Sequence, residues 1–244
     1  MRKLLLILVL SIYSCSELNN EYEYIVKDQD FRTDVLINNS GNYIELKNGY
    51  TYFEEANQDS ETGTVVLVHG FSVPSYIMET TFNSIEEKGF RVIMMDLYGR
   101  GFSDNPDLPQ TDELRANQVI ELLDRRNIKK ASLVGLSNGG RIISKIAYLK
   151  PEIVNELFYI ASSGFYEYPD TNERDVTLNE INDLMKSYPE MAMGQKNDFF
   201  NPGQYPDWID KYKELQKHKG FARALISTTK NLVTLDLSLI HIWR

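Results

Sequence analysis

Apolar residues in this chain fall into short continuous runs, and helical-period segments lie between them. TVVLVHG (Thr64 to Gly70), RVIMMDLYG (Arg91 to Gly99), ASLVGLS (Ala131 to Ser137) and NELFYIASSG (Asn155 to Gly164) are apolar at consecutive positions. That is the pattern of strands buried on both faces. The intervening stretches predict helices over Tyr76 to Lys88, stopped by Gly89, over Thr111 to about Arg126, and over Gly139 to Lys150, ended by Pro151. Thr111-Asp112-Glu113-Leu114 offers a hydroxyl cap and early acidic residues, both favourable at a helix start. Ahead of these, NYIELKNGYTYFEEA (Asn42 to Ala56) reads as two strands about the hairpin dipeptide Asn48-Gly49. Strands alternating with helices predict an α/β fold with a mostly parallel sheet, flanking helices and right-handed crossovers.

The pattern changes after Phe165. Residues 166–220 are aromatic and acidic without strand periodicity, with helical patches at Leu178 to Tyr188 and Trp208 to His218. An insertion over the carboxyl ends of the strands is expected to act as a helical lid. Its aromatics either line a pocket or glue the lid helices to the body. The core is then 42–165, and Phe221 to Leu232, within 221–236, reads as a helix of the main body. No internal repeat or low-complexity segment interrupts this organisation.

The amino terminus, MRKLLLILVLSIYSCSE, has two basic residues, an apolar run from Leu4 to Leu10, and small residues around Cys15. The run is far shorter than the roughly 20 residues of a membrane-spanning helix, so it reads as an export signal. Its end resembles a bacterial lipoprotein cleavage box, which makes 1–14 a signal peptide and Cys15 the lipidated first residue. The expected location is then outside the cytoplasm at a membrane surface, with 15–41 as tether and N-terminal segment and Ser16 to Glu23 as the tether itself. Cys15 is the only cysteine, so no disulfide forms within one chain.

Composition narrows the partners. The 244 residues are 42% hydrophobic and 25% charged, enough for one sizeable core. With 26 Lys+Arg against 35 Asp+Glu the net charge is -9, and no basic run with interleaved aromatics is present, which argues against nucleic acid.

The candidate chemistry lies in SLVGLSNGG. Gly135-Leu136-Ser137-Asn138-Gly139 fits G-x-S-x-G, with an apolar strand before it and a helix after it. So sharp a turn leaves little room for side chains at Gly135 and Gly139, and it puts Ser137 at a helix N-terminus that favours a developing oxyanion. Two further stretches, HGF (His69 to Phe71) and DLYGRGFSD (Asp96 to Asp104), stand at the ends of the preceding strands. In this order and spacing, the three stretches together resemble the α/β-hydrolase superfamily from about Tyr43 to Gly164, and more loosely to Leu232. Within it the chain looks most like ester hydrolases of the lipase and carboxylesterase type.

The resemblance implies Ser137 as nucleophile and the backbone N–H groups of Phe71 and Asn138 as the oxyanion hole. It implies a structural role for His69 and Asp96, and no metal or organic cofactor. Ser103 and Asp104 are expected to brace a loop, while Gly99 and Gly101 serve turn geometry. The implied substrate is a small-molecule ester with an apolar acyl or alkyl part. Haloalkane dehalogenases and epoxide hydrolases carry aspartate at the serine position, which disfavours them; amide, thioester and C–C bond cleavage stay open.

An acid and then a histidine are expected after the serine. Only His218 and His241 follow it, and the nearest aspartate after the fourth strand is Asp170. His218, in KELQKHKGFAR, is expected to be exposed at a helix end among lysines. The resemblance implies two further strand-helix units bearing the acid and the histidine, roughly 60 residues at about 30 per unit, so the chain is expected to be C-terminally truncated and the last strands missing. The ending LSLIHIWR (Leu237 to Arg244) is expected to be a non-native tail. Were it a strand, Asp236 and His241 would point to opposite faces, five residues apart. The contrasting reading is a non-catalytic binding protein that keeps the fold without the triad.

Overall fold

The computed structural model describes residues 21–163, 165, 167, 168 and 173–235. Cys15, Asp170, Asp236 and His241, the signal peptide and the 237–244 tail lie outside the described residues. Among the described residues six strands form one sheet in the order β1-β2-β4-β3-β5-β6. They are β1 (Asn42–Leu46), β2 (Gly49–Ala56), β3 (Thr64–Val68), β4 (Arg91–Met95), β5 (Ala131–Leu136) and β6 (Val154–Ile160). β1 and β2 form an antiparallel hairpin, and β2 joins β4 antiparallel. The rest of the sheet, β4, β3, β5 and β6, is parallel.

The continuous apolar runs have a direct cause in this sheet. Val66 and Val68 of β3, Ile93 and Met95 of β4, and Leu133 of β5 pack on one face with α3 (Asp112–Arg125) and α4 (Gly139–Leu149). Their alternate neighbours Leu67, Val92, Met94 and Val134 pack on the other with Phe82 of α2 (Glu79–Glu86). Successive side chains point to opposite faces, so a strand covered on both sides must be apolar throughout. Thr111 caps α3, its hydroxyl accepting from the Leu114 N–H at 3.0 Å.

Four expectations need correction. Among the described residues β6 is last in the sheet order and is not covered on both faces: Phe158 is 48% and Ile160 42% exposed. The hairpin turn is Lys47-Asn48, since Leu46 pairs with Gly49. The predicted helix from Tyr76 opens as a 3-10 turn, Ser75–Met78, before α2.

The fourth correction concerns the amino-terminal segment. A helix unforeseen from the pattern, α1 (Gln29–Asn38), is capped by Asp28, whose carboxylate accepts from the Phe31 N–H. Glu23, placed in the tether, is docked: its carboxylate accepts from Gly220 N–H at 2.9 Å, Ala222 N–H at 2.6 Å and the Tyr188 hydroxyl at 2.5 Å.

The segment expected as a lid forms α5 (Leu178–Lys186), α6 (Tyr188–Gly194) and α7 (Trp208–Leu215). Together with α8 (Phe221–Lys230) they bury a second apolar cluster against Phe71, Val73, Tyr76 and Ile77 of the loop after β3. Its aromatics mostly meet one another. Phe199 stacks on Tyr205 at 4.4 Å, and Trp208 meets Tyr76 edge-on at 5.0 Å. Among the described residues, no helix is long and apolar enough to cross a membrane.

Candidate active site

Ser137 stands between β5 and α4 with a positive φ of 51°, a conformation that costs a non-glycine residue about 1–3 kcal/mol. Hydrogen bonds hold it there: its N–H donates to Ile160 O at 2.8 Å, and its carbonyl accepts from Gly140 N at 3.1 Å and Ser163 N at 3.2 Å. The glycines on either side are required by space. A Cβ on Gly139 would sit 2.1 Å from Val68 O, and one on Gly135 would sit 2.7 Å from the Gly139 backbone.

The end of β3 lies against the serine, since a Cβ on Gly70 would be 3.2 Å from the Ser137 Cβ and 3.7 Å from its Oγ. Phe71 follows directly. Among the described residues, neither the Phe71 N–H nor the Asn138 N–H donates a hydrogen bond to the protein. Asn138 is buried, so its unpaired N–H is unusual.

His69 is fully buried beside this turn. Its Nε2 accepts from the Leu97 N–H at 2.9 Å and its Nδ1 lies 3.0 Å from Gly70 O, which fits a neutral ring protonated at Nδ1. Burial, reinforced by Arg100, pushes its pKa down to about 3. Asp96 is buried too, accepting from the Ser75 N–H and hydroxyl and from the Phe102 N–H. Burial raises its pKa despite those bonds. Ser103 and Asp104 tie the following loop to β2 through the N–H groups of Tyr52 and Tyr50.

Residues 63–241 match the family model of the alpha/beta hydrolase fold. The chain belongs to the α/β-hydrolase family. An esterase from Exiguobacterium antarcticum superposes with a TM-score of 0.63 at 21% identity, over 80% of this chain and 75% of that one, a likeness of fold. A pimeloyl-[acyl-carrier protein] methyl ester esterase from Aliivibrio fischeri is 33% identical over 105 residues, 43% of this chain and 38% of the esterase. An uncharacterized protein of Mycobacterium bovis is 33% identical over 103 residues, 41% of this chain. The match spans only 29% of that relative's length.

In this α/β hydrolase His218 is not exposed, contrary to the expectation from its lysine neighbours. It is 5% exposed, with its ring edge-on to Phe31 at 5.4 Å, because the amino-terminal segment pairs beside it through Ile25. Burial, and next the nearby Lys27, lower its pKa to about 3. It lines a cleft of about 680 Å³ with Tyr52, Asp96 and Lys211, and Ser137 is not part of that cleft's wall. Among the described residues, no group of three or more His, Cys, Asp or Glu side chains could hold a metal ion.

Sequence reasoning passed over three arginines. Arg100, Arg115 and Arg141 are among the largest fully buried side chains; Arg100 bonds Phe71 O, Arg115 bonds Asn138 Oδ1, and Arg141 stands in the first turn of α4. Arg100 stands within the quoted stretch DLYGRGFSD, where its charge between two glycines was the available signal.

Proposed function

We propose that this α/β hydrolase is a serine hydrolase of carboxylic esters in which Ser137 is the nucleophile. The observation that supports this best is a strained serine packed against Gly70, with the N–H groups of the adjacent residues Phe71 and Asn138 making no hydrogen bond among the described residues. Donors left unpaired beside a nucleophile are suited to the charge that develops on a carbonyl oxygen. Ser137 Oγ would attack the ester carbonyl carbon while its proton passes to a general base. The carbonyl π electrons move to oxygen, which the two N–H groups hold. Collapse expels the alcohol, which takes the proton back, and water then releases the acid. The preference for an ester bond rests on the esterase relative.

Neither described histidine fits the role of base. Both nitrogens of His69 are engaged by the backbone, and His218 lies in a different cleft. That observation favours a second reading, a non-catalytic binding protein on this fold. A fluorophosphonate probe separates the two. The hydrolase reading expects labelling of the complete protein that carries the base, none of its Ser137→Ala variant and little of a chain without the base, whereas the binding reading expects no labelling of any of them. We propose export and lipidation at Cys15 on sequence grounds. Membrane fractionation of wild type against Cys15→Ala tests it, and equal soluble fractions would refute it.

A further inference from the structure

Two buried arginines grip the two candidate oxyanion donors from behind. Arg100 Nε donates to the Phe71 carbonyl, and its guanidinium carbon lies 5.4 Å from the centre of the Phe71 ring. Its remaining donors reach Gly99 O at 3.2 Å and Thr228 Oγ1 of α8 at 3.0 Å. Arg115, on α3, donates from Nη1 to Asn138 Oδ1 at 3.2 Å, from Nη2 to Gln110 O at 2.6 Å and from Nε to Thr111 O at 3.3 Å. Each guanidinium therefore spreads its planar fork over three acceptors, one of which belongs to a donor residue, a geometry that a lysine ammonium on a flexible stem does not reproduce.

A direct carboxylate partner is missing at both. Arg141, equally buried on α4, pairs with Asp112 at 2.7 Å. Among the described residues neither Arg100 nor Arg115 forms an ion pair with a carboxylate. Burial lowers Arg100 to about 9, with Arg115 the next cause. It lowers Arg115 to about 10, opposed by Asp112. Asp112 thus pairs directly with Arg141 and acts on Arg115 at longer range. Burying charge without a partner is costly, and where the surrounding structure sustains such a cost the arrangement tends to serve function.

We propose that Arg100 and Arg115 are the positioning residues of the oxyanion hole. Arg100 fixes Phe71 through its carbonyl and ring, Arg115 fixes Asn138 through its side chain, and each leaves the N–H of its residue free for the reacting oxygen. Their positive charge, held without an ion-pair partner beside the donor residues, favours the anionic form of that oxygen. The helices α3 and α8 are tied to the hole through the same two side chains. This rests on the reading of Ser137 as nucleophile.

The test uses the full chain and the variants Arg100→Lys, Arg115→Lys and Arg141→Lys. Three readouts are taken at matched folded fraction: p-nitrophenyl acetate hydrolysis, the rate of fluorophosphonate labelling, and the amide NMR shifts of Phe71 and Asn138. Arg100→Lys and Arg115→Lys are each expected to lower kcat about 10- to 100-fold, less than the 100- to 1,000-fold of a deleted donor. KM is expected to change by less than about threefold, since the interaction acts on the transition state. Arg141→Lys, which alters a side chain bonded to neither donor residue and leaves the Arg141 N–H to Asn138 O bond in the backbone, is expected to lower Tm without that loss of kcat. Equal kcat in all three variants would overturn the proposal.

Should the complete protein, carrying its base, take no label and hydrolyse nothing, the nucleophile reading falls and the NMR arm decides the positioning. Selective shifts of Phe71 in Arg100→Lys and of Asn138 in Arg115→Lys support it. Unmoved amides overturn it.

Discussion

Gly70 and Ser137 are in contact across the carboxyl ends of β3 and β5, with only 3.2 Å between the Ser137 Cβ and the position a Gly70 Cβ would take. Val68 O comes nearer still to the helix start, 2.1 Å from a Cβ on Gly139. The first approach is too close by only a few tenths of an ångström, whereas the second is a severe overlap with strand backbone. Gly139→Ala is therefore expected to destabilise the fold by about 1–3 kcal/mol in urea unfolding. Gly70→Ala is expected to cost less stability and to slow fluorophosphonate labelling. A Gly139→Ala protein as stable as wild type would contradict the close approach.

The buried histidines give a pH dependence with a definite sign. Folding lowers His218 from 6.5 to about 3, so between those values the unfolded chain binds a proton that the folded chain does not. Its contribution is fully present above pH 6.5 and is lost progressively as the pH falls toward 3. At pH 5 the loss attributable to this one residue is about 2 kcal/mol. His69 acts in the same direction and Asp96, with its raised pKa, in the opposite one. Unfolding of His218→Gln at pH 7 and pH 5 is expected to show a smaller stability difference than wild type. Parallel curves would place His218 in water.

Glu23 latches the amino-terminal segment onto the start of α8 and onto Tyr188 of α6. Hydrogen bonds to a charged group contribute about 1.5–3 kcal/mol, and the two N–H groups lose their acceptor on truncation. Glu23→Ala is expected to lower stability within that range and to increase hydrogen exchange at Gly220 and Ala222. Unchanged protection at those amides would refute the latch.

β6, last in the sheet order among the described residues, presents Phe158 and Ile160 to solvent. An open edge with apolar side chains is a template for pairing with another chain. Sedimentation velocity is expected to show concentration-dependent association that the double substitution Phe158→Lys, Ile160→Thr reduces. Association unaffected by these changes would assign it to another surface.

The parts of this protein legible in the sequence are those governed by neighbours in the chain. Apolar runs in β3, β4 and β5 announce strands covered on both faces because successive side chains alternate. Gly135 and Gly139 announce a turn with no room for a Cβ, and Thr111 announces the start of α3. Tertiary structure alone decided what depends on residues far apart. Arg100 meets Thr228 across 128 positions and Glu23 meets Ala222 across 199. His218, set among lysines, becomes buried only because Ile25 and Phe31 fold over it. The composition of β6 reads like that of the other strands, and its exposure follows from its place at the end of the sheet order among the described residues. Periodicity and capping act over a few residues, whereas burial and hydrogen-bond pairing are settled by which distant surfaces meet when the chain closes on itself.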